Sequence, residues 1–387
     1  MTRCWFLGAL MVTAAAAPTA QAQSRPAEIR IAVGFGVDTA RSPNHEIFAL
    51  YRSYIAERSD TARARRYWSE TEQRQWPLYD LLAGYVYQGF THFTIVHLGP
   101  AVGLDSAYII RVLISAVDDS TRDVRPLALY RVYATREAGR WVLANALPRL
   151  TRAWRHDTLG HLIFVYPPQH RFDRRKASST AAFVDSLAQR FRLPAPVPIT
   201  YYFTDDMLTT LAAAGLDFFP IGSDTVGGRA NPWDRFVLIG SSSSGESYLH
   251  ELAHIVLAPL FDGARYNGLI LEGLMTWVGG SGGLDYPHLL PALQAYVQAH
   301  AELTLEQLLT DPPPRVGSLD VGYDGAAVLC ALVHDRGGDD AVRDFVRSGP
   351  TPADVLEAAA RLLSAPRDSV DALWRSAVLR SSTPTRH

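Results

Sequence analysis

Five residues, His250-Glu251-Leu252-Ala253-His254, constrain what this chain can fold into more than any other stretch. They sit in SYLHELAHIVLAPL, where Tyr248, Leu249, Leu252, Ile255, Val256 and Leu257 recur at helical spacing. A helix that is apolar nearly all round is a buried helix. Two imidazoles and a carboxylate are costly to bury unless something satisfies them. Any fold of this chain must therefore enclose the helix and bring a partner to its polar face.

A metal ion would be such a partner. Residues four apart share one helix face, so His250 and His254 can both reach one zinc ion. Glu251 is rotated by about 100° from His250 and can reach a water beside the metal. Zinc lowers the pKa of that water, and the carboxylate takes its proton. The bare pentapeptide arises by chance in roughly one such chain in a hundred, so its setting carries more weight than its letters. The competing reading is a helix whose polar residues face solvent.

A catalytic zinc usually needs a third protein ligand and an open position. Glu272 is the candidate, a lone carboxylate among Leu269, Ile270, Leu271, Leu274, Met275 and Trp277 in NGLILEGLMTWVG. Unpaired carboxylates are rarely buried in such surroundings. The alternatives are an outward-facing Glu272, or ligation by His288, His300 or His334.

His-Glu-Leu-Ala-His followed after seventeen residues by the glutamate of LEGLMTW resembles the gluzincin zinc metallopeptidases, especially the aminopeptidase-N-like branch. That branch carries a glutamate in a W-L-N-E-G-[FL]-A-like segment, and Glu272-Gly273-Leu274 is similar to it. Leu271 stands for the usual Asn and Met275 for the Ala. The resemblance implies Zn2+ held by His250, His254 and Glu272, Glu251 as general base, and a peptide or protein substrate. Val321–His334 (VGYDGAAVLCALVH) resembles the family helix whose opening tyrosine donates to the oxyanion, which implies that role for Tyr323. Two departures stand out. Val226–Gly240 has no glutamate to anchor a free substrate amine, so endopeptidase activity is expected over aminopeptidase activity. Thr276 stands where thermolysin-like members place an aspartate that orients a zinc-bound histidine.

The 387 residues, 48% hydrophobic, suffice for two cores. The formal net charge of −2 gives no sign of a clustered basic excess, so no nucleic-acid partner is expected. The run Arg171–Lys176 reads as a solvated loop or helix start. The N-terminus reads as an export signal. Arg3 precedes an apolar stretch to Ala17, and Ala20-Gln21-Ala22 fits the cleavage rule, so residues 1–22 are expected to be removed. Export to the periplasm or outside the cell follows, and no transmembrane helix is expected. Only Cys330 then remains, inside an apolar run, as a buried thiol.

Residues 23–152 read as one domain. Helical spacing from about 44 to 88 gives way to β-rich segments at His92–Leu98, Ala107–Val117 and Leu127–Thr135. Arg136–Gly139 reads as a turn and Arg140–Leu147 as its hairpin partner. The element order resembles a nuclear-transport-factor-2-like (NTF2-like, cystatin-like) α+β domain. Residues 153–387 read as a gluzincin-like domain with a mixed sheet and a largely helical C-terminal part. Its strands are expected at Leu162–Tyr166, Ile199–Phe203 and Arg235–Ile239, and its helices at Ala177–Phe191 and Asp205–Ala214. The fold class is thus α+β. The leading function is metal-assisted peptide hydrolysis. The alternatives are a non-catalytic zinc-containing binding protein and a metal-free protein with a chance motif.

Overall fold

The computed structural model describes residues 29–86, 90–103, 106–118, 120–220 and 225–380. The expected export signal at 1–22 lies outside them. The chain has a mixed α/β architecture and divides into two compact units. One takes the chain up to Trp154 and the stretch that begins at Leu208. The other takes Arg155–Met207 and the chain from Thr225 onward.

The first unit is a helix beside a six-stranded mixed sheet of order β1-β2-β3-β4-β5 with β9 on β4. Its strands are β1 (Arg30–Val33), β2 (His92–Pro100), β3 (Tyr108–Val117), β4 (Val124–Glu137), β5 (Arg140–Ala144) and β9 (Leu216–Phe218). β1 runs parallel to β2, and the other pairs are antiparallel. The β4–β5 turn is tight because Ala138 (φ 48°) and Gly139 (φ 81°) both adopt left-handed backbone, as a two-residue hairpin loop requires. α1 (Asn44–Glu57) buries Ile47, Tyr51, Tyr54 and Ile55, one face at helical spacing.

The sequence pattern suggests helix onward to about 88, but the chain breaks it into short turns: α2 (Thr61–Ala64), α3 (Glu70–Gln73) and α4 (Ala83–Val86). The Asp60 and Ser69 side chains accept from backbone N–H groups and start new turns, and Pro77 denies a donor. α5 (Leu147–Leu150) follows β5, and α7 (Met207–Ala214) precedes β9.

The second unit has a five-stranded mixed sheet of order β10-β11-β8-β7-β6. The strands are β6 (Arg155–Leu159), β7 (Leu162–Tyr166), β8 (Ile199–Thr204), β10 (Gly227–Asn231) and β11 (Phe236–Gly240). β7, β8 and β11 are parallel and central, hence their continuous apolar sequences. β6 and β10 are antiparallel edges. α6 (Arg174–Arg190), capped by the Asp173 carboxylate, buries Ala177, Ala181, Val184 and Leu187.

A helical array completes the unit: α8 (Leu249–Leu257), α9 (Gly268–Gly279), α10 (Tyr286–Ala299), α11 (Leu305–Thr310), α12 (Val321–Val346), α13 (Pro352–Leu363) and α14 (Val370–Arg380). Gly338 (φ 68°) breaks α12. Cys330 is a buried free thiol whose pKa burial pushes up. Among the described residues, no helix is long and apolar enough to cross a membrane.

Candidate metal centre

α8 carries His250, Glu251 and His254, α9 carries Glu272, and α12 carries Tyr323 in its first turn. Local chemistry sets each register. The Asn267 side chain accepts from the N–H groups of Leu269 and Ile270, starting α9 so that Glu272 falls one turn in. The Asp320 carboxylate accepts from Tyr323 N–H at 3.0 Å and starts α12.

The helices approach closely because glycines face their neighbours' backbones. A Cβ on Gly273 would lie 2.5 Å from Ala326 Cβ on α12. One on Gly279 would lie 2.9 Å from the His250 backbone.

His250, His254 and Glu272 come together with ligand atoms all within 4.8 Å of one another. Glu272 Oε2 lies 3.3 Å from His250 Nε2 and 3.4 Å from His254 Nε2. Their side chains are 8%, 15% and 13% exposed for His250, His254 and Glu272. His250 Nδ1 donates to the Gly280 carbonyl at 2.7 Å. A carbonyl can only accept, so in the neutral imidazole Nε2 holds a bare lone pair. That lone pair faces a carboxylate, an arrangement that a proton or a metal cation between them satisfies.

A proton there would draw nitrogen and oxygen to about 2.7–2.9 Å. Two donors held tetrahedrally by one zinc, each about 2.0–2.1 Å from it, stand about 3.3–3.4 Å apart. The observed separations suit two donors of one zinc and also lie within hydrogen-bond reach. The donor set of two imidazoles and a carboxylate, with one imidazole anchored through its other nitrogen, also fits zinc.

The electrostatics point the same way. Burial opposes a charge on His250, but the Glu272 and Glu251 carboxylates and the Gly280 carbonyl raise its pKa to about 9. Burial also opposes the Glu272 carboxylate, yet His254 and His250 hold its pKa well below the usual range. The potential that favours a proton at the imidazoles favours a dication at the same lone pairs.

Glu251 is 9% exposed and its side chain lies against β10. The Tyr323 ring is parallel to that of His250, with centroids 6.4 Å apart. Burial first, then Glu272, Asp320 and Glu251, raises its pKa far above the ordinary phenol value, so its hydroxyl stays a donor. Next to it Asp324 is 1% exposed, and neither carboxylate oxygen has a hydrogen-bond partner. Burial and the neighbouring Asp320 raise its pKa to about 7. A cavity of about 420 Å³ opens beside His250, walled by Tyr248, Leu249, Leu284 and Asp285.

The other histidines considered as ligands are engaged elsewhere. His288 pairs with Asp285, His300 stacks on Tyr296, and His334 lies between Trp277 and Asp339. The sequence reading missed Gly280, Glu246 and Gly228. Gly280 supplies the carbonyl that orients His250, while Thr276 is buried and its hydroxyl has no partner. Glu246, 2% exposed, accepts from His170 Nε2 at 2.9 Å and from Asp173 N–H at 2.7 Å, fixing the approach to α8. Gly228 leaves the space that Glu251 fills. The glycine pair ending α9 was a visible helix-stop signal. A backbone carbonyl and an absent side chain leave no other trace in sequence.

No family model and no curated protein sequence matches the chain. Among solved structures it is similar to an M1 zinc metallopeptidase from Deinococcus radiodurans, at 15% identity and a TM-score of 0.34, over 76% of this chain and 64% of that one. A mutant of an M1 zinc metallopeptidase from that organism, bound to a Tyr-Ser-Ala substrate, matches at 14% identity and a TM-score of 0.34, over 76% and 63%. A two-domain M1 zinc metallopeptidase mutant bound to L-arginine matches at 13% identity and a TM-score of 0.35, over 73% and 62%. The chain thus spans less than two thirds of the length of these enzymes.

Proposed function

We propose that this protein is an exported zinc-dependent peptidase that cleaves peptide bonds within a chain, with His250, His254 and Glu272 holding the metal. The observation that carries the reading is the cradle itself. A lone pair fixed by Gly280 faces a carboxylate at 3.3 Å, in buried surroundings, with a second carboxylate one residue along. When bound, zinc supplies Lewis-acid polarisation of a carbonyl and acidifies a water ligand.

The chain's own groups do the rest. Glu251 accepts the proton of the attacking water and passes it to the departing amine nitrogen. Tyr323, kept protonated, donates to the oxygen that gains negative charge. Val226–Gly240, which forms β10 and β11, contains no carboxylate to capture a free amine other than Asp234, which bonds to Asn231. That supports internal cleavage. The order of elements in the first unit supports reading it as an NTF2-like module.

The decisive experiment compares zinc-loaded parent with Glu251→Gln on an unfolded protein substrate. Loss of a general base costs about 10²–10⁴-fold in kcat, and zinc stoichiometry should stay near one in both. Equal turnover by the two proteins would sink the assignment. Tight zinc without turnover in the parent would favour a non-catalytic zinc-containing binding protein.

A further inference from the structure

Gly228 lies in β10, the edge strand of the second unit's sheet, opposite Ile239 of β11. A Cβ there would stand 2.3 Å from Glu251 Cγ, 2.8 Å from Oε1 and 2.9 Å from Cδ. All three distances are too short for atoms that are not bonded. Its φ lies outside the left-handed region, so alanine suits this backbone. The three nearest atoms to that Cβ all belong to Glu251, and neither a turn nor a strained dihedral requires the glycine. Glu251 itself lies on α8 between two metal-ligand candidates and is 9% exposed.

We infer that Gly228 is a positioning residue: its missing side chain gives the Glu251 carboxylate the one place from which it reaches the metal centre. This rests on the reading of Glu251 as the base. The structural cost of filling the gap is small, because Glu251 can rotate away. The chemical cost is large, because a displacement of about 1 Å can cost a reaction about 10²-fold. Stability and activity should therefore part company at this position.

Gly227 provides the control on the same strand. A Cβ there would meet Met207 Cγ and Sδ at 3.5 Å, an ordinary contact.

The test compares zinc-loaded parent, G228A and G227A by peptide hydrolysis, zinc content, thermal unfolding and crystallography. G228A should unfold within a few degrees of the parent, bind zinc with the same stoichiometry, and lose about 100-fold in kcat with little change in KM. G227A should keep at least about half the parental kcat. In the G228A crystal structure the Glu251 carboxylate should be displaced by about 1 Å or more.

A KM effect with unchanged kcat would overturn the inference, since it would mean that Gly228 makes room for substrate. So would a Glu251 carboxylate within about 0.5 Å of its parental position. The crystallographic arm needs no turnover. If the parent cleaves nothing, the peptidase reading fails, and the displacement still decides whether Gly228 positions Glu251.

Discussion

His250 and Asp80 show two ways to bury an ionisable side chain. At His250 the Gly280 carbonyl fixes a proton on Nδ1, so the neutral ring leaves a lone pair facing Glu272. A cation resolves that contact. Asp80, 3% exposed in the first unit, has no such cation. It accepts from Leu82 N–H at 3.0 Å and from the Tyr54 hydroxyl, yet burial raises its pKa from 3.8 to about 6. The sign follows. The folded state holds the proton more tightly than the unfolded chain, so the benefit is full below pH 3.8 and is lost as pH rises through about 6. That displacement corresponds to at most about 3 kcal/mol. Asp80→Asn keeps an acceptor for Leu82 and removes the ionisation. Denaturant unfolding at pH 5 and pH 7.5 should show the parent losing about 1 kcal/mol more than the variant over that interval, since part of the benefit is already gone at pH 5. Equal losses would show that Asp80 is charged at no cost.

At the scale of elements, the site depends on how closely α9 approaches α12. A Cβ on Gly273 would meet Ala326 Cβ at 2.5 Å, Ala326 C at 2.6 Å and Ala327 N at 2.9 Å. Two of these are backbone atoms and cannot rotate away. Alanine favours a helix interior over glycine by about 0.8–1.0 kcal/mol, so propensity alone predicts that Gly273→Ala stabilises. Overpacking costs about 1–3 kcal/mol and should win. The displaced helix carries Glu272, so zinc should bind at least about tenfold more weakly although no ligand is altered. Competition with a fluorescent chelator measures this, and unchanged affinity would mean that the helices yield elsewhere.

The same contacts explain what the sequence pattern could reveal. β7, β8 and β11 were visible as apolar runs, and the β4–β5 hairpin by its Ala138-Gly139 turn, because those signals are local. β1 and β9 were not, since four and three residues carry no period and gain their place only by pairing with β2 and β4. The turns between Thr61 and Val86 escaped because caps at Asp60 and Ser69 override a helical spacing that does continue. At the site, the His-Glu-x-x-His helix and Glu272 could be singled out because charge in apolar sequence must be explained. Gly228, Gly273 and the Gly280 carbonyl act through space and backbone, which one sequence does not record.

For the whole molecule, the question is what metal removal does to a chain built as two compact units. His250, His254 and Glu272 bring together two helices of one unit, α8 and α9, with α12 packed through Gly273. A ligand that binds only the folded state stabilises it by RT ln(1 + [L]/Kd), about 4 kcal/mol at a thousandfold excess over Kd. Without the ion, the His250 lone pair and the Glu272 carboxylate are left facing each other, and one of them must take a proton or move. Chelation should therefore loosen α8, α9 and the start of α12 before it loosens anything else. Hydrogen exchange of zinc-loaded and chelated protein, with β3 of the first unit as internal reference, measures this by segment. Protection in α8 and α9 should fall by an order of magnitude or more, while Glu251→Gln, which keeps all three ligands, should retain the zinc-dependent difference. Exchange in α8 and α9 that ignores zinc would mean that the ion, if bound at all, is held elsewhere.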